Sequence, residues 1–139
     1  MLRRNKEQES LIQFTKELEN IFEEFYEFQL EDKTDVLVKH TNDRLLAQLD
    51  IDVEKILNLP KGEIKSYLQE RRFHSRHFEN LADYLTKAAQ NELPSDKTKA
   101  RTELEKVIEI NEIADEVSKT FSIIRMNKNI LVKNQLEKV

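Results

Sequence analysis

LIQFTKELENIFEEFYEF, residues 11–28, decides the fold class. Its apolar positions Leu11, Phe14, Leu18, Ile21, Phe25 and Phe28 follow at intervals of three, four, three, four and three. That is helical periodicity, with no trace of the alternation a strand would need. Ile12, Phe22 and Tyr26 widen the stripe beyond the narrow seam of a two-stranded coiled coil. A helix over 6–28 is therefore expected to pack against more than one neighbour.

Downstream, EDKTD (31–35) is a polar break in which Thr34 or Asp35 is expected to cap a second helix carrying Val36, Leu37, Leu45, Leu46 and Leu49. DVLVKH (35–40) is the only short strand candidate, and it has no second strand to pair with. In 50–70, Asp52 opens a short helix with Val53, Ile56 and Leu57 inward. Pro60 cannot continue it, and a second piece follows with Ile64, Tyr67 and Leu68 inward. Ser75 is the expected N-cap of a helix to about Asn91, and ELPSDKT (92–98) reads as a loop.

From Lys99 onward there is neither glycine nor proline. One continuous helix of nearly forty residues competes with two helices broken near DEVSKT (115–120), Ser118 or Thr120 capping the second. At ~1.5 Å per residue the continuous form would project far beyond a domain of this size, so the broken form is preferred. The expectation is a single all-α domain over 1–139, a compact helical bundle or tetratricopeptide-like helical array of five to seven helices. It has a long N-terminal helix at 6–28, a helical pair near 75–116 and a C-terminal helix near 119–136.

Composition narrows the chemistry. The chain has no cysteine, which removes thiol catalysis, cysteine-held zinc and disulfides. Its one glycine, Gly62, cannot build a glycine-rich phosphate cradle. A net charge of −4 gives no general attraction for phosphate backbones. MLRRNKEQES has no apolar stretch behind its basic residues, and no apolar run is long enough to span a bilayer. A cytoplasmic protein with no membrane partner is expected.

ERRFHSRHFE (70–79) concentrates two of three histidines with Arg71, Arg72 and Arg76. His74 and His77 with Glu70 or Glu79 suggest a metal-dependent enzyme. The spacing fits neither the zincin motif nor the paired Glu-x-x-His of di-iron bundles. Arg71, Arg72 and Arg76, joined by Arg125 and Lys128, suggest a nucleic-acid-binding regulatory protein, though three arginines are few for such an interface. The simplest reading makes the stretch a connector: Arg71 and Arg72 complement a helix C-terminus, and Phe73 and Phe78 dock it. Serines and carboxylates elsewhere show no catalytic arrangement. No catalytic residue, metal ligand or cofactor is assigned.

FENLADYLTKAA, with small Ala82, and ARTELEKVIEI, with Ala100, Leu104 and Val107 spaced four and three, resemble the two helices of a tetratricopeptide unit. The loop through Pro94 is longer than in that repeat, and Val107 stands where the repeat prefers alanine. The chain also resembles uncharacterised bacterial helical proteins of tetratricopeptide-like fold, with Ile56 to Leu68 as the short-helix, turn, short-helix element. The resemblance implies a helix-lined surface for a peptide or partner helix. The expected function is a non-catalytic helical protein-interaction (scaffold or adaptor) module. Phe22, Tyr26, Arg71, Arg72 and Arg76 are the candidate partner-binding residues. The partner is a protein or peptide, and a homo-oligomer through helix one or the C-terminal helix is a variant of this reading.

Overall fold

The computed structural model describes residues 2–29 and 34–139. It is all-α: seven helices, with no strand among the described residues. They are α1 (Leu2–Phe28), α2 (Thr34–Leu49), α3 (Val53–Leu57), α4 (Lys61–Gln69), α5 (Ser75–Glu92), α6 (Lys97–Ser118) and α7 (Ile123–Glu137). None is long and apolar enough to cross a membrane. The chain divides into two units, Met1–Val53 and Glu54–Val139. Most of the polar break at 31–35 lies outside the described residues, as does the side chain of Thr34, one of the two expected caps.

In the first unit α1 packs on α2. The stripe expected of α1 is buried at Phe14, Leu18, Ile21, Phe22 and Phe25, whereas Ile12 and Phe28 stay exposed. An ion pair from Arg44 to Glu24 joins the two helices. DVLVKH lies within α2, where Thr41 donates to the Leu37 carbonyl at 2.8 Å. Helical backbone bonding prevails because a strand there has no neighbour to complete its ladder.

The second unit is built on the α5–α6 pair, with α4 and α7 packed against α6. A connection of only Leu93 to Asp96 makes α5 and α6 antiparallel neighbours. Small, fully buried Ala82, Ala89, Ala100 and Ala114 let helices approach closely around Leu81, Tyr84, Leu85, Leu104 and Ile110. Asp96 caps α6, its carboxylate accepting from the Lys99 backbone N–H at 3.0 Å. Lys106 reaches from α6 to the Leu59 carbonyl at 2.7 Å, fixing the turn that Pro60 imposes between α3 and α4.

Scarcity of glycine is met in an unexpected way. Asp50, Arg72 and Lys119, each just past a helix, stand at φ of 57°, 71° and 57°. At Arg72 the ladder closes as a Schellman motif: Phe73 N–H donates to the Leu68 carbonyl at 3.1 Å and Arg72 N–H to Gln69 at 3.0 Å. Two caps differ from expectation. The N-cap of α5 is His74, one residue before Ser75. The 99–139 segment is broken, but the cap of α7 is Ser122, whose hydroxyl accepts from the Arg125 N–H at 3.2 Å. Ser118 and Thr120 instead hydrogen-bond each other at 2.9 Å within the connection.

Candidate functional site

The 70–79 stretch is a joint between α4 and α5. Arg71 lays its guanidinium 3.6 Å from the centroid of the Tyr67 ring and donates to the Tyr67 carbonyl at 2.9 Å. It thereby satisfies one of the last carbonyls of α4 and complements that helix's negative end. Phe73 and Phe78 are buried edge to face, 5.3 Å between centroids. His77 is buried too, and its Nδ1 accepts from the His74 backbone N–H at 2.8 Å. This is the N3-to-N-cap half of a capping box, with imidazole in place of glutamate. The bond requires the tautomer protonated on Nε2. Burial first, then the neighbouring charges of His74 and Arg76, lower the His77 pKa to about 4, so the acceptor form persists at neutral pH. One imidazole nitrogen of the suggested metal pair is thus committed to the backbone. No cluster of three or more potential ligands stands ready for a metal ion among the described residues.

The candidate partner-binding residues fall in both units. Phe22 is buried and Tyr26 half-buried in the first unit. Arg71 is half-buried against Tyr67, while Arg72 and Arg76 are exposed in the second unit. Of the cations expected to extend the basic patch, Arg125 points into the second unit. Its Nε donates to Asp115 at 2.6 Å and its guanidinium pairs with Glu79. It donates further to the Thr120 carbonyl at 3.0 Å and the Ser118 hydroxyl at 3.3 Å. Burial works against its charge, but the bonds to Glu79 and Asp115 outweigh that and raise its pKa. Lys128 bonds both Asp83 oxygens, at 3.0 and 3.2 Å. Glu79 thus pairs with an arginine on α7.

These contacts expose a feature that the apolar pattern of the C-terminal segment conceals. The inward face of α7 is mostly polar: Arg125, Lys128 and Asn129, the last accepting from Asn111 Nδ2 at 2.9 Å, with Val132 the one fully buried apolar residue. Its outward face is apolar. Ile123, Ile124 and Leu131 are 66%, 68% and 62% exposed, and Met126 and Ile130 are 40% and 47% exposed. Plotted at 3.6 residues per turn, these five fall within one side of the helix, opposite Arg125 and Val132. Phe121, in the preceding connection, adds a further exposed ring. An ordinary surface helix has the reverse arrangement.

A second buried polar feature lies near the start of α6. Glu103 is 3% exposed, and its Oε1 has no hydrogen-bond partner among the described residues. Burial raises its pKa to about 7. Lys99 opposes the shift, and the carboxylates of Glu92, Glu54 and Asp96 add to it. Lys99 itself sits 3.2 Å from Glu54. The group holds neither a nucleophile nor a ligand set, and its consequence is a pH dependence.

Comparison with known proteins adds no further constraint: no family model, curated protein or solved structure matches the chain.

Proposed function

We propose that the chain is a non-catalytic helical interaction module whose contact surface is the outward face of α7. The observation that carries this reading is the inverted amphipathicity of α7. Water meets five large aliphatic side chains, while cations and amides are turned inward to dedicated partners. Contiguous apolar surface of this kind is characteristic of sites that meet another protein. The antiparallel α5–α6 pair with its buried alanines, which resembles a tetratricopeptide unit, would serve as the rigid platform that presents α7. The absence of cysteine fits a reducing, cytoplasmic setting.

The nucleic-acid reading loses weight because Arg125 and Lys128 are occupied by carboxylates. The metal reading loses weight because His77 is occupied by the backbone. The test is affinity capture from nuclease-treated lysate with wild-type bait and with an Ile123→Glu/Ile130→Glu bait of equal helicity. A protein partner retained by the first and lost by the second is expected. Retention that ignores the substitutions, or depends on nucleic acid, would overturn the proposal.

A further inference from the structure

The geometry of α7 points to one occupant: we propose that its outward face pairs with the same face of a second copy of this chain, side by side and parallel about a two-fold axis. The inference rests on reading α7 as a contact surface and adds what covers it. Three observations favour self-pairing.

The first is spacing. Ile123, Asn127, Ile130 and Asn134 follow at intervals of four, three and four along one line of the helix, and Asn127 and Asn134 are exposed with the isoleucines. Read as a heptad seam, Ile123 and Ile130, with Glu137 at the helix end, occupy one core position and the asparagines the other. An asparagine in such a seam is poorly matched by an arbitrary apolar partner. In a parallel pair it meets its own copy and bonds amide to amide, which also fixes register. The chain already uses this solution once, where Asn111 meets Asn129 between α6 and α7.

The second is flanking chemistry. In the same register Met126 of one copy lies beside the partner's Leu131, closing the seam with apolar contact. The third is area. Five aliphatic side chains at these exposures present on the order of 500 Å². One such patch per copy, pooled across a two-fold axis, gives about 1,000 Å², the lower bound of a specific interface, and the rim adds to it. A self-complementary interface needs only this one patch. Lys133 and Lys138 would face each other across the seam, so added salt should tighten the pair.

The test uses the full chain in sedimentation equilibrium, with thiol cross-linking of single-cysteine variants, which the absence of native cysteine makes clean. The wild type is expected to be dimeric at about 100 μM, and Ile130→Glu to weaken the dimer by at least about tenfold with its circular dichroism unchanged. Asn127→Cys should form a disulfide-linked dimer under mild oxidation, whereas Gln90→Cys, on exposed α5 surface, should not. A monomeric wild type, a dimer indifferent to Ile130→Glu, or a dimer that Asn127→Cys cannot cross-link would each overturn the proposal. If the wild type is monomeric but capture of a partner still depends on Ile123 and Ile130, only self-pairing fails. If neither is seen, the broader function fails with it.

Discussion

Two buried titratable groups should pull the stability of this protein in opposite directions between about pH 4.5 and 6.5, and substituting either should unmask the other. His77 has its pKa lowered from 6.5 to about 4. In that window the unfolded chain binds a proton the folded chain refuses, so this group makes stability rise with pH. Glu103 has its pKa raised from 4.5 to about 7. Between those values the folded chain holds a proton the unfolded chain has released, so this group makes stability fall with pH. Each pKa is displaced across about 2.5 pH units, and at ~1.4 kcal/mol per pH unit each group contributes ~3.5 kcal/mol over its full window. The two slopes largely cancel where they overlap.

Urea midpoints taken from pH 4.5 to 7.5 should therefore change little through the overlap in the wild type. Glu103→Gln keeps the shape and removes the titration, so its stability should climb by ~2 kcal/mol from pH 4.5 to 6.5. His77→Gln retains an acceptor for the His74 N–H and should show the mirror image, a fall of ~2 kcal/mol. Parallel profiles for the two variants would refute the reasoning, because they would mean that neither group titrates as its burial dictates. His74 and Arg76 beside the first, and Lys99, Glu92, Glu54 and Asp96 around the second, are the charges whose removal should shift each window.

Arg125→Ala leaves Glu79 and Asp115 facing each other; with those carboxylates about a third exposed, a loss of ~2–3 kcal/mol in urea unfolding is expected. Lys119→Gly relieves a left-handed backbone position and should raise the thermal midpoint, by the equivalent of ~1 kcal/mol. Ile130→Glu should alter the stability of the monomer by less than ~0.5 kcal/mol, as a water-facing residue does, whereas a loss of several kcal/mol would place the outward stripe of α7 in a core.

Periodicity alone was enough for the fold class. The α1 stripe, the break imposed by Pro60 and the Ala82 and Ala100 packing positions carry local signals that the structure keeps. Three things were not legible. Apolar residues in 121–131 look like core in a linear reading, because sequence shows which residues share a face but not which face is covered. Their true orientation depends on Arg125 finding Glu79 and Asp115, an ion cluster assembled across the second unit. Glu103 carries no signal in the sequence because a single carboxylate inside the stripe Ala100, Leu104, Val107 resembles the solvated neighbours around it. Finally, residue type does not single out Ser122 as the cap, because Ser118 and Thr120 are equally good, and only the turn at Lys119 selects among them.

That turn has a wider consequence. Neither glycine nor proline stops the helix at Ser118, and Lys119 adopts a conformation its side chain disfavours. Beside the Ser122 cap, the Arg125 guanidinium gathers Asp115, Ser118 and Thr120 across the bend and fastens them to Glu79 on α5. Residues 97–139 thus form a jointed rod whose elbow is locked by one side chain. The bend is fastened by a residue 46 positions from its anchor.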